Sequence, residues 1–193
     1  MKVGPYSIEA FCELVRTFHG YPAPGVMLGG FMVDAVLRKL PGGRLYDALC
    51  ETARCLPDAI QLLTPCTVGN GWLKVINLGR FALALYDKSN GPGIRVFVDS
   101  EKISRWREIH DWYYKVKKKA EQDGERLFEE IKTAGAGVCS FEAVQVKRGI
   151  LDNESRGGMA TCPECAEGYP SRDGALCLAC QGESPYAHKQ RSA

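Results

Sequence analysis

Four cysteines near the end of the chain constrain it most. Cys162-Pro-Glu-Cys165 and Cys177-Leu-Ala-Cys180 repeat a C-x2-C spacing with eleven residues between the pairs. Each C-x2-C turn brings two thiolates to one side of the backbone, and four thiolates satisfy a tetrahedral zinc ion closed to solvent. A segment of this size has too little core to fold alone, so metal binding supplies its folding free energy. The alternative is a pair of free turns or a redox couple, but redox motifs rarely come doubled at this spacing. A short helix opening at Cys177 and running toward Pro185 would give a treble-clef-like finger, with the first pair on a knuckle.

The rest of the 193 residues suits one main domain. The boundaries read as a core over 1–148, a linker over 149–161 that includes Asn153-Glu-Ser-Arg-Gly-Gly158, and the finger over 162–193. Nine cysteines in a secreted chain would imply disulfides. The start Met-Lys-Val-Gly-Pro-Tyr-Ser has no signal-peptide apolar run, so metal ligation, reduced core thiols and a cytoplasmic location are expected. The longest uncharged apolar stretch, Gly25 to Val33, is too short to span a bilayer. Net charge is +2, and Lys147–Ala193 carries six basic and six acidic residues. A nucleic-acid reader should show a basic excess, so a structural or protein-contact finger is the better reading.

Ser7 is placed to cap a first helix reaching Phe18, with Phe11, Leu14, Val15 and Phe18 on one face. A second helix, from about Val26 to Leu40, is apolar nearly all round and so is buried. Its Gly29-Gly30 pair costs helix propensity, about 1 kcal/mol each, which tight packing or a close ligand would offset. Pro41-Gly42-Gly43 reads as a turn. Strands are expected at Leu45–Glu51, Leu73–Leu78, Phe81–Tyr86, Ile94–Val98 and Phe141–Lys147, the middle ones as an antiparallel meander. Ser100 to Ala134 reads as helical with a break near Gln122-Asp-Gly124. Its eight basic and five acidic residues between Lys102 and Arg126 make a solvated face, and Trp106, Ile109, Trp112, Tyr113 and Val116 form the packing face. Helices first and strands after argue an α+β fold: a mainly antiparallel sheet packed with helices, plus the finger.

The densest polar chemistry outside the finger lies between Cys55 and Gly71. Pro57 suits a first helical position and Pro65 ends any helix at Thr64. Asp58, Gln61, Thr64 and, beyond the segment, Asn77 are candidate pocket residues. Gly69-Asn-Gly71 reads as a turn rather than a phosphate cradle, being too short a motif to be specific. A helix from Pro57 to Thr64 is about 12 Å long at 1.5 Å per residue, which puts Cys55 and Cys66 at opposite ends. At most one of them then joins His19 at a shared metal, with Cys55 favoured because a helix N-terminus stabilises a thiolate. His19 is as readily a hydrogen-bonded structural residue. Cys12, Cys50 and Cys139 read as buried small apolar residues.

Phe18-His19-Gly20-Tyr21-Pro-Ala23-Pro-Gly25, an apolar helix with Gly29, Cys55-Leu-Pro-Asp58-Ala-Ile-Gln61 through Cys66-Thr67-Val-Gly69-Asn-Gly71, and a cysteine-rich end occur in that order. Together they resemble the FmdE (FwdE) family, named for a non-catalytic component of formylmethanofuran dehydrogenase. Its members carry Phe-His-Gly-His-x-Cys-Pro-Gly and Cys-x-x-Asp-Ala-Ile-Gln…Cys-Thr-x-Gly-x-Gly. The resemblance spans Tyr6 to Val98. It implies an α+β core with an optional treble-clef zinc finger and a link to one-carbon metabolism. In the parent complex, carbon dioxide is reduced onto methanofuran at a molybdenum- or tungsten-pterin site carried by other components. Here Tyr21 stands where the family has its second histidine, and Ala23 where it has cysteine. A family metal site would thus retain His19, Cys55 and Cys66, with Tyr21 a poor substitute ligand.

Three functions follow from this reading. The first is a metal-binding accessory protein with structural zinc, a homodimer or a partner of a larger redox complex. The second is a standalone enzyme using Cys55 as nucleophile and His19 as base. The third is a regulator whose finger binds nucleic acid.

Overall fold

The computed structural model describes residues 1–41, 45–151 and 157–187. The chain forms two compact units, 1–152 and 153–193. Gly42 and Gly43 of the expected turn, residues 152–156 of the expected linker and 188–193 of the expected finger lie outside the described residues.

The N-terminal unit opens with a small hairpin, β1 (Lys2–Val3) and β2 (Tyr6–Ser7), leading directly into α1 (Ile8–His19). Ser7 caps α1 as its residue type requires, its hydroxyl accepting from the Ala10 N–H at 3.2 Å. Phe11 and Val15 are fully buried, whereas Phe18, expected on the same face, is 54 % exposed because α1 outruns the core at its last turn.

Next comes α2 (Pro24–Leu37), starting on Pro24 and buried from Gly25 to Val33. The glycine pair is explained by packing. A Cβ at Gly29 would lie 2.8 Å from the Ala59 Cβ, and one at Gly30 would lie 2.5 Å from the Phe11 ring. The expected cost in propensity is therefore offset by close helix approach on both sides of α2, and no ligand is needed to account for it.

The five-stranded sheet follows: β3 (Tyr46–Cys50), then α3 (Leu56–Leu63), β4 (Leu73–Val75), β5 (Ala82–Asp87) and β6 (Pro92–Val98). Three helices come next, α4 (Ser100–Ile103), α5 (Arg107–Tyr113) and α6 (Gly124–Ala134), and then β7 (Cys139–Gln145) and α7 (Arg148–Leu151). Strand order is β4-β3-β5-β6-β7. All neighbours are antiparallel except β3–β4, which run parallel. This corrects the expected meander. The Gly79-Arg80 turn joins β4 to β5, but β3 lies between them, and α3 supplies the crossover that a parallel β3–β4 pair demands. The helix expected from Ser100 to the break near Gln122 is also corrected. It already breaks after Ile103 and again after Tyr113, where Lys115 adopts φ +54°. Ile109 is fully buried and Trp106, Trp112 and Tyr113 pack on the core, but Val116 falls in the broken stretch and is exposed.

One face of the sheet (Ala48, Cys50, Leu83, Leu85, Val96, Val98) joins Val26, Met27, Leu56, Ile60 and Ile131 in the main core. The alternate positions along β3, Asp47 and Leu49 and then Glu51 just beyond its end, point the other way. Glu51 is buried there, accepting from Arg95 Nε at 2.6 Å and Nη2 at 2.8 Å, with Arg80 Nε at 2.7 Å. Chiefly through Arg95, this holds its carboxyl below the usual range. A carboxyl with a depressed folded pKa contributes stability above the unfolded value, about 4.3, which is lost as pH falls through the folded value. Glu51→Gln, which keeps the shape and removes the charge, should cost about 2 kcal/mol at pH 7. In urea titrations the difference from the parent should shrink below about pH 4.

The C-terminal unit holds the antiparallel pair β8 (Met159–Thr161) and β9 (Gly168–Pro170). Residues 157–161, read from sequence as linker, thus open the finger itself. Among the described residues no helix is long and apolar enough to cross a membrane.

Candidate functional site

Strands β8 and β9 pin the first knuckle. Cys162 N–H donates to the Glu167 carbonyl at 2.9 Å and Ala166 N–H to the Cys162 carbonyl at 2.8 Å. The turn closes through Ala166 at φ +59°. The second pair sits on a helical turn, Cys180 N–H donating to the Cys177 carbonyl at 2.9 Å. That turn breaks at Gly182, φ 106°, so the expected helix toward Pro185 is a single short turn over Ala179–Glu183. The Tyr169 hydroxyl ties the two halves by donating to the Gly174 carbonyl at 2.8 Å.

The result is a convergence of Cys162, Cys165, Cys177 and Cys180, whose sulfurs all lie within 4.8 Å of one another. Cys165 Sγ and Cys177 Sγ are 3.7 Å apart. A tetrahedron with Zn–S bonds of about 2.3 Å has an edge of about 3.8 Å, so the donors fit zinc in number, chemistry and spacing. The electrostatics point the same way. Backbone N–H groups, that of Cys177 first, pull the Cys162 thiol down to about 6. The bond to Cys177, then burial, pushes Cys180 up to about 12. Four clustered thiols share protons in this manner because their thiolates repel one another, and a divalent cation removes the conflict.

In the N-terminal unit, His19 lies in the last turn of α1 and Asp58 in the first turn of α3. The structure brings them together, His19 Nδ1 to Asp58 Oδ2 at 2.6 Å, both mostly buried. Tyr21 leans on the imidazole, ring centroids 5.3 Å apart, and Lys119 sits over Tyr21. Cys55 caps α3 in a strained conformation, φ 57° and ψ −53°. Gly25 makes room for it: a Cβ there would lie 2.8 Å from the Cys55 Cβ and 3.0 Å from its sulfur. The expectation of a stabilised thiolate at Cys55 does not hold. Burial, and then the Asp58 charge, push its thiol up.

Cys66 is fully buried beyond the other end of α3, its thiol donating to the Tyr46 carbonyl at 3.6 Å. The remaining pocket candidates serve local turns. Gln61 Oε1 accepts from Val68 N–H, Thr64 donates to the Ile60 carbonyl and accepts from Cys66 N–H, and Asn77 Oδ1 accepts from Gly79 N–H. Cys50 and Cys139 are buried as expected, while Cys12 is half-buried with its thiol 4.0 Å from Met27 Sδ. Two features escaped the sequence reading: Asp58 as the partner that orients His19, and Gly25 as the position whose missing side chain seats Cys55. The Asp-Ala-Ile-Gln motif carried the first signal, but not its pairing.

Residues 18–147 match the family model described as FmdE, molybdenum formylmethanofuran dehydrogenase operon. The chain belongs to the FmdE family. Residues 153–187 match the FmdE treble clef zinc finger, which agrees with the two knuckles and their four thiols. The crystal structure of a tungsten formylmethanofuran dehydrogenase FmdE-like protein from Syntrophus aciditrophicus superposes with a TM-score of 0.88 at 52 % identity, covering 96 % of this chain and 100 % of that one. A protein of Archaeoglobus fulgidus named as a probable S-adenosyl-L-methionine-binding protein is 30 % identical over 190 residues, 86 % of this chain. The match spans 51 % of that protein, so about half of its length lies outside the comparison.

Proposed function

We propose that this FmdE-family chain is a metal-binding accessory protein, its zinc held by Cys162, Cys165, Cys177 and Cys180, with no complete catalytic site of its own. The convergence of those four sulfurs within 4.8 Å carries the reading. Zinc bound there closes the finger and supplies folding free energy without redox chemistry. The backbone donors around Cys162 and the Tyr169 bond position the thiolates for it. In the N-terminal unit, Tyr21 and Ala23 replace two of the family motif's candidate ligands, and His19 is engaged by Asp58 instead.

Association as a homodimer, or with the components of a larger redox complex in the cytoplasm, belongs to the same reading, and light scattering on the full chain tests the first part. The S-adenosyl-L-methionine in the name of the Archaeoglobus relative lends no support here, because half of that protein lies beyond the match. Elemental analysis of the purified chain should give about one zinc per chain, kept by His19→Ala and lost by Cys177→Ser. A metal content that follows His19 instead overturns the reading.

One observation favours a second reading, an enzyme using Cys55. The Asp58–His19 bond supplies the orienting group that a cysteine–histidine pair needs. Peptide-resolved alkylation distinguishes the two. An enzyme shows Cys55 reacting faster than an ordinary thiol, with the excess removed by His19→Ala. The accessory reading shows Cys55 slow in both proteins, as a half-buried thiol pushed up in pKa should be.

A further inference from the structure

Strand β3 and its immediate continuation carry two buried carboxylates on one face, and the chain treats them differently. Glu51 receives two hydrogen bonds from Arg95 and an ion pair from Arg80. Asp47, four residues earlier, is only 4 % exposed, yet its Oδ1 accepts no hydrogen bond. Its ion-pair partner, Lys88 Nζ, stands 3.8 Å away, beyond hydrogen-bond reach. Tyr86, the cross-strand partner of Asp47, is fully buried and its hydroxyl is likewise unpaired. Among the described residues these are the two buried side-chain polar atoms left without a hydrogen-bond partner. A desolvated carboxylate oxygen with nothing to accept from is costly. At Glu51 the same sheet face satisfies a carboxylate whose role is structural.

Asp47 forms part of the wall of a cavity of about 130 Å³, with Leu45, Tyr46, Pro65, Trp72 and Lys88. A cavity of roughly 150 Å³ accommodates a benzene ring, so this one takes a small molecule. The Lys88 ammonium rests over the Trp72 ring, 4.5 Å from its centroid, which shows that the aromatic wall accepts a cation. Lys88 is partly exposed and follows the end of β5, so it can leave the ring to meet an anion at the mouth.

We propose that this pocket binds a free α-amino acid with an apolar side chain, its ammonium on Asp47, its carboxylate on Lys88 and its side chain against Leu45, Pro65 and Trp72. A plain amine would compete with Lys88 for the same carboxylate. A plain carboxylic acid would face Asp47 with like charge. A zwitterion pairs both groups at once, and its ammonium, unlike the tethered Lys88, is free to approach the carboxylate.

Calorimetric titration of the full chain with L-valine and L-leucine tests this. At least one should bind saturably, and 4-methylpentanoate, which lacks the amine, and leucinamide, which lacks the carboxylate, should bind at least tenfold more weakly. Asp47→Asn should abolish binding while leaving the melting temperature unchanged or raised, because it removes a buried carboxylate that the fold leaves unsatisfied. Lys88→Met should weaken leucine and strengthen leucinamide, whose amine no longer competes with Lys88 for Asp47. No binding of either amino acid, leucinamide binding as well as leucine, or a melting temperature lowered by Asp47→Asn each overturns the proposal.

Discussion

Replacing Cys177 by serine, or stripping metal with a chelator, should unfold the C-terminal unit and leave the N-terminal one folded. The reason is the size of the finger's core. Its buried residues are Cys162, Tyr169 and Cys177, with Ala160, Cys165, Leu176, Ala179 and Cys180 packed beside them. Half of that cluster consists of the four converging cysteines, so little apolar surface remains to hold the knuckles without an ion. Chains below about 40 residues rarely fold without a metal, disulfides or a partner. Structural zinc contributes about 10–16 kcal/mol of apparent binding free energy at pH 7 in fingers of this kind, more than any apolar burial available here. Amide spectra should show residues 157–187 collapsing to random-coil shifts, with the buried sheet and helices of 1–151 retaining their dispersion. Finger resonances that stay dispersed in metal-free protein would show that the knuckles fold on their own hydrogen bonds.

Some of this architecture is legible in the sequence because its signals are local. The Cys162–Cys180 spacing, the Ser7 cap and the Pro57 start each act within a few residues, and the structure places an element at each. What cannot be read depends on contacts distant in the chain. The Gly79-Arg80 turn has the chemistry of a hairpin, yet β3 lies between the two strands it joins, pairing parallel with one and antiparallel with the other. The separation of 39 positions between His19 and Asp58 hides their bond, since a pair across two helix ends leaves no periodicity. The charged run over 100–134 is a helix by propensity, but Trp106 and Lys115 adopt non-helical backbone to turn the chain back over the core. Asp47 reads as one polar residue in an apolar strand, and its lack of a hydrogen-bond donor is a property of the fold alone.

Gly30 is where a sequence liability becomes a packing requirement, and it gives the second large effect. Phe11 is fully buried, and Phe11→Ala should cost about 3–5 kcal/mol, through lost transfer energy and a cavity that α1 and α2 cannot close. Gly30→Ala should also destabilise, by about 2 kcal/mol. The new methyl would sit 2.5 Å from the Phe11 ring and 2.9 Å from Val3 Cγ1, and this overpacking outweighs the gain in helix propensity of about 1 kcal/mol. The two changes should not add. With the ring gone, Val3 can shift into the vacated space, and the methyl at position 30 then recovers the propensity gain. The double variant should therefore be more stable than Phe11→Ala alone, with a coupling of about 2 kcal/mol or more in urea unfolding. Additivity within about 0.5 kcal/mol would mean that α1 and α2 separate to admit the methyl, and that the glycine pair sets helix approach less tightly than the 2.5 Å contact requires.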